Sequence, residues 1–193
     1  MAASDLVPPM LLLAMPQVLD PFFRKSVVLL VAHAREGSLG FIVNRATDLK
    51  LAETLTEMQL EWPGDDDPPV LFGGPVQPQV GTVLFGDGER GAAPEVGNEI
   101  CPGVRISQHF QELSRLVAAP PANFRLLLGH AGWGAGQLVD EILRNDWLTA
   151  PPSGELVFGE LSEATWEAGL RSVGVDPSTL PAWTPVEDDG EAN

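Results

Sequence analysis

Residues 26–44 read SVVLLVAHAREGSLGFIVN, and this stretch decides the fold. The run 26–33 is β-branched and apolar without alternation, which predicts a strand buried on both faces. Residues 35–38 (REGS) predict a turn, and 39–44 (LGFIVN) return as a second strand, so the whole stretch predicts a hairpin. Upstream, residues 10–14 predict a first strand. Residues 16–25 (PQVLDPFFRK) predict a loop, because Pro16, Asp20-Pro21 and the pair Arg24-Lys25 interrupt any periodicity.

Downstream, Leu51, Leu55 and Met58 share one face of a helix expected over 49–60, with Asp48 as its cap. Residues 70–72 and 80–85 bracket the loop 73–79 (GGPVQPQ) and predict a strand pair. A polar loop is expected at 86–94. Phe110, Leu113, Leu116 and Val117 mark a helix over 107–117 that Pro120-Pro121 ends. A strand at 124–128 runs into GHAGWGAG at 129–136 and then into a helix over 137–144. Residues 155–158 predict a late strand. The last helix covers 162–172, with Ser162 as cap and Gly174 as stop. Strands crowd the first part and helices the second. That order predicts an α+β fold, a mixed sheet with flanking helices, rather than a regular βαβ array. One domain is expected over 1–176. Pro177, Pro181, Pro185 and the acidic run EDDGEAN predict a loosely ordered tail over 177–193.

The chain has 193 residues, 27 of them acidic and 11 basic, for a net charge of −16. Phosphate contacts supply most of a nucleic-acid binder's affinity, so this balance argues against direct binding to DNA or RNA and against anionic lipid surfaces. No apolar run approaches the roughly 20 residues of a membrane span. The segment 10–15 (MLLLAM) is too short, and lacks the basic flank, for an export signal. Cys101 is the single cysteine, so no internal disulfide is possible. A cytoplasmic protein is expected.

The strongest local motif is strand–GHAGWGAG–helix. A glycine-rich turn before a helix can hold an anion on backbone N–H groups. The spacing excludes two familiar versions: Gly136 is followed by Gln137-Leu138 instead of Lys-Ser/Thr, and Gly132 and Gly134 are followed by Gln137 where a dinucleotide fingerprint needs a third glycine. G-x-S-x-G is absent. Two alternatives remain open here, tight packing of a helix on the sheet or a ligand or partner site centred on His130, Gly132, Trp133, Gly134 and Gln137. Gly73-Gly74-Pro75 fixes a sharp turn and offers further backbone donors. Asp20 with Arg24, and Asn44 with Arg45, complete the candidates, either as a site or as an ion-pair cluster. His33, His109 and His130 show no metal-ligand spacing, so neither metal nor cofactor is expected. Glu99 beside Cys101 argues against a reactive thiolate.

Three of these stretches together resemble the YqgE/AlgH family of bacterial proteins: 11–45, FGGPV at 72–76, and GHAGWGAGQLVDEILRNDWL at 129–148. Trp166 and Leu170 match its late helix. The resemblance implies an α+β fold with a branched or barrel-like mixed β-sheet flanked by helices, in a cytosolic protein. It implies no catalytic residues. Some members are labelled transcriptional regulators, and the charge here points to an indirect route through a protein partner. This chain departs from the pattern at His130, where the family often has tyrosine, at Ala46, where proline commonly follows Asn-Arg, and in its acidic end. Two functions are therefore expected as alternatives: a non-enzymatic binding or regulatory protein with a protein partner, or an enzyme acting on a small anionic metabolite.

Overall fold

The computed structural model describes residues 6–86 and 96–183. Residues 87–94 of the expected polar loop and 184–193 of the expected tail lie outside the described residues. The opening hairpin forms as its sequence dictates. Strand β2 (Val27–Ala34) pairs antiparallel with β3 (Gly37–Ile42), from Val28↔Ile42 to Ala34↔Gly37. Strand β1 (Met10–Ala14) pairs with the other side of β2. Val27 through Leu30 are fully buried, which is why the run needs no polar alternation.

Among the described residues ten strands form the sheet, in the order β10 (Trp147–Ala150), β1, β2, β3, β9 (Phe124–Gly134), β6 (Val76–Phe85), β8 (Val104–Ser107), β7 (Asn98–Cys101), with β4 (Ala46–Lys50) and β5 (Pro69–Phe72) branching from that path. The branch point is the eleven-residue strand β9 (Phe124–Gly134). It pairs antiparallel with β6 (Val76–Phe85) and parallel with β5 (Pro69–Phe72) around Leu127. Past Gly129 it pairs antiparallel with β3, from Gly40↔Ala131 to Gly37↔Gly134. The single parallel pairing makes the sheet mixed. The fold is α+β: a branched, curled sheet with five α-helices among the described residues.

Several elements differ from expectation. The helix α1 is Leu51–Glu57, and Asp48 does not cap it, because Asp48 lies in a short strand β4 (Ala46–Lys50). Asp67, in the turn that follows the helix in the chain, caps it instead, Oδ1 accepting from the Ala52 N–H at 2.9 Å. Strands β5 and β6 do not pair with each other; both pair with β9. A hairpin of β7 (Asn98–Cys101) and β8 (Val104–Ser107) precedes helix α2 (Phe110–Ala118). The strand expected at 155–158 is part of a short helix α4 (Gly154–Val157), capped by Ser153. The closing strand is instead β10 (Trp147–Ala150), on the outer side of β1. Helix α5 (Glu163–Ser172) starts on Ser162, whose Oγ accepts from Ala164 N–H, and Gly174 follows its end at φ +80°. Packing continues beyond residue 176. A 3₁₀ turn covers Pro177–Thr179, and Trp183 is buried edge-on to Trp166, at 6.4 Å between ring centroids.

Two apolar clusters fill the interior. The larger lies between β1–β3 and helices α3 (Gln137–Leu143) and α5; the smaller joins α1 and α2 to β6 and β9. Arg125 sits half-buried beside the larger one. Its guanidinium donates to the carbonyls of Val43, Val157 and Gly159 and lies 5.7 Å from the Phe158 ring. Burial with no carboxylate partner pushes its pKa down to about 10.

Candidate functional site

The expected glycine-rich loop is mostly strand. Strand β9 continues through Gly134, and only Ala135-Gly136 separate it from α3. Gln137 Oε1 accepts from the Gly134 N–H at 3.0 Å, and Gln137 Nε2 donates to Glu141 Oε1 at 2.9 Å. Helix α3 spans only seven residues and carries Asp140 in its first turn. An anion cradle at this helix start is therefore not supported, since a carboxylate already occupies the end where a ligand's negative charge would sit.

Glu141 organises what is there. Its Oε2 accepts from both Trp133 Nε1 and Trp147 Nε1, each at 2.8 Å. The two indoles meet edge to face at 5.9 Å, and Phe23 packs edge-on to Trp147 at 5.7 Å. Such edge-to-face pairs place the positive rim of one ring on the negative face of the next. Phe23 belongs to the loop 15–25, which is turned by Asp20: Oδ1 accepts from Phe22 N–H at 2.8 Å, and the Asp20 carbonyl accepts from Phe23 and Arg24. Gln17 reaches the Asn145 carbonyl, and Met15 N–H donates to Asp146 O at 2.9 Å. The loop is thereby held against the β9–α3 and α3–β10 corners. Between them lies a cleft of about 260 Å³, lined by Val18, Leu19, Asp20, Phe23, Gly132, Trp133, Gln137, Glu141, Asp146 and Trp147 among others. Three of its side chains are carboxylates, and none among the described residues lining it is a Lys, Arg or His.

Of the expected residues, this cleft gathers Asp20, Gly132, Trp133 and Gln137, with Gly134 bonded to Gln137. The others are elsewhere. Asn44 is buried under the loop: Oδ1 accepts from Val27 N–H at 2.8 Å, and Nδ2 donates to the carbonyls of Lys25 and Ser162 at 3.1 Å each. Arg45 clamps the loop from below, donating to Pro21 O at 2.7 Å and Arg24 O at 2.8 Å. Burial pulls its pKa down, and Asp20 and Glu163 pull it back up. Both residues shape the loop instead of facing a ligand. Gly73 and Gly74 lie where the chain crosses β9. A Cβ on Gly73 would fall 2.4 Å from Gly129 O, and one on Gly74, at φ +149°, 2.2 Å from the His130 carbonyl carbon. These glycines, with Pro75 next to them, serve a backbone crossing. His130 lies in the same crossing, and burial lowers its pKa.

Arg24 points into a different and larger cleft of about 450 Å³, where its guanidinium stands 5.7 Å from the Trp183 ring. The motif residues do not gather there, and Lys25 and Arg171 in its wall are each paired with a glutamate, at 2.6 and 2.8 Å. The smaller cleft is the better candidate, because segments far apart in the chain build it and its aromatic floor is fixed by hydrogen bonds. Cys101 is buried; burial first and Glu99 second push its thiol up, so it stays protonated and inert. Among the described residues no group of three His, Cys, Asp or Glu could hold a metal, and no helix is long and apolar enough to cross a membrane.

Sequence reasoning missed Glu141, Asp146, Trp147 and Leu19. The spacing of Gln137 and Glu141, four residues apart on a helix, put both on one face and was a usable signal. Trp147 had none, because the strand that carries it was not expected.

The AlgH-like family model matches residues 11–178. A UPF0301 protein of Myxococcus xanthus is 39% identical over 173 residues, covering 89% of this chain and 93% of its own. One of Burkholderia vietnamiensis is 41% identical over 174 residues, covering 88% and 89%. The solution structure of the AlgH protein from Pseudomonas aeruginosa superposes with a TM-score of 0.66 at 33% identity, over 88% of this chain and 89% of that one. A crystal structure of a Corynebacterium diphtheriae protein gives a TM-score of 0.70 at 23% identity, which speaks to the fold alone. With the match running from β1 past the last helix, and with the cleft built from its opening and its glycine-rich stretches, the chain belongs to the AlgH-like, UPF0301 family.

Proposed function

We propose that this chain is a non-enzymatic binding or regulatory protein that acts through the Trp133–Trp147 cleft. The observation that carries the reading is the convergence of residues 17–23, 132–141 and 146–147 on one concave surface. Concave sites with an apolar floor and few polar groups are where proteins take ligands. Glu141 and Gln137 are committed to the indoles and to each other, Asp20 turns its loop through Oδ1, and the lining holds no nucleophile–base–orienter set. The net charge argues against direct contact with nucleic acid, so any effect on transcription runs through a protein partner, and a cytosolic location is part of the same reading.

The test is capture of partners on the immobilised protein against a variant with the cleft filled. Gly132→Leu suits this, because Gly132 is exposed, lines the cleft, and a Cβ there meets only ordinary contacts from 3.5 Å outward. A partner recovered by the native protein and lost with Gly132→Leu supports the reading; equal recovery rejects it. Trp133→Ala is unsuitable, since Trp133 is core.

A second reading, an enzyme acting on a small anionic metabolite, draws on the Arg24–Lys25–Arg171 cleft, which holds three of the chain's 11 basic residues. A thermal-shift screen with phosphorylated and carboxylated metabolites tests it, because ligands of the native state raise Tm. No shift across a broad panel removes this reading.

A further inference from the structure

We infer that the cleft receives a Lys or Arg side chain of a protein partner, whose neighbouring apolar residues lie across the exposed patch of Leu19, Phe22 and Val76. This rests on the binding role proposed above and names the partner's chemistry. Leu19 is 63% exposed, Phe22 47% and Val76 39%. Single exposed apolar residues are ordinary, but these are contiguous with the cleft. Phe22 stacks on Phe72 at 5.4 Å. Leu19 and Gly132 both line the cleft, and Val76 Cγ2 is 3.5 Å from where a Cβ on Gly132 would be. Asp20, between Leu19 and Phe22 in the chain, therefore stands at the junction of patch and cleft.

Charge complementarity selects the occupant. Glu141 has both oxygens committed to three N–H donors. Asp20 gives only Oδ1 to Phe22, and Asp146 is paired with the solvent-exposed Arg144, which an entering cation can replace. Of the aromatic rings that line the cleft, Phe23 is the half-buried one that a guanidinium or ammonium can meet. A body of charge −16 steers a basic partner toward it and repels nucleic acid, anionic lipid and a second copy of itself.

The experiment titrates the full chain with two synthetic peptides of identical apolar content, one bearing Arg at its polar positions and one bearing Glu, and with an oligolysine of equal length. Heat and tryptophan fluorescence are read at low salt and at about 0.5 M salt, where the Debye length has shrunk to a few ångströms. The Arg peptide is expected to bind, to weaken with salt, and to lose at least tenfold in affinity in Asp20→Asn and in Leu19→Ser; the Glu peptide is expected not to bind. Asp20→Asn keeps the Oδ1 acceptor for Phe22, and Leu19 is exposed, so both variants are expected to fold with native Tm. Three results overturn the inference: no binding of the Arg peptide, undiminished affinity in both variants, or oligolysine binding as tightly and unaffected by Leu19→Ser. Self-association that buries the patch, seen as a concentration-dependent mass, also overturns it. If the peptides fail while Gly132→Leu still abolishes partner capture, only this inference falls; if both fail, the binding role falls with it.

Discussion

The chain uses glycine for opposite purposes at two places on one strand. At the crossing, Gly73, Gly74 and Gly129 let two backbone segments approach so closely that a Cβ on any of them would sit 2.2–2.4 Å from the facing segment. A few residues on, Gly132 and Gly136 face space: a Cβ on Gly132 meets nothing nearer than 3.5 Å, and one on Gly136 meets nothing within 4 Å. The first set closes the interior, and the second leaves a surface open. Glycine-richness alone does not distinguish a site from a seam; what stands opposite the missing Cβ does.

That contrast can be broken by substitution. Gly74→Ala is expected to have the largest effect, because neither backbone can yield and φ is +149°. A loss of about 4 kcal/mol or more, or failure to fold, should appear in denaturant unfolding. Glu141→Gln comes next. An amide cannot accept from two indoles and also from Gln137, so one N–H is left unpaired. A cost of about 1–3 kcal/mol is expected, with a changed tryptophan emission. Gly136→Ala should cost about 1 kcal/mol, from its left-handed φ of +76° alone, and leave the cleft intact.

A pH series sharpens the crossing side. Burial holds His130 below its ordinary value of 6.5, so the unfolded chain takes up a proton more readily than the folded one. The stability due to the neutral ring is complete above pH 6.5 and is lost as pH falls through the folded value. His130→Gln should flatten Tm against pH below 6.5 relative to the native protein. Gly132→Ala is expected to be the smallest change, within about 0.5 kcal/mol. A large loss there would place Gly132 with the seam and erase the contrast.

The α+β class and the opening hairpin were legible because an unbroken β-branched run has few other uses. The branch was not: β9 keeps one direction while its partners change, and local pattern carries no record of partners. Nor does local pattern show that Asp67, in an acidic run of three, caps α1 by accepting from Ala52, fifteen residues earlier in the chain. Half of the site was legible for a related reason. Trp133 and Gln137 sit in a conspicuous motif, and Asp20 marks a turn, so composition drew attention to them. Asn44 and Arg45 were conspicuous too, but their polarity is used up inside the loop's support. Nothing local separates a polar group facing a ligand from one facing a carbonyl.

The long-range pairings of this sheet also govern how the protein is made. Leu11 pairs with Ala150, and Gly37 with Gly134, so the first three strands wait for almost all the remaining chain before their edges are filled. Contacts of such separation form slowly. A nascent chain halted before Phe124 presents an apolar three-stranded meander with both rims raw, which invites sticking to other chains. Expression yield should therefore depend more on what shields the growing polypeptide on the ribosome than on the stability of the finished protein.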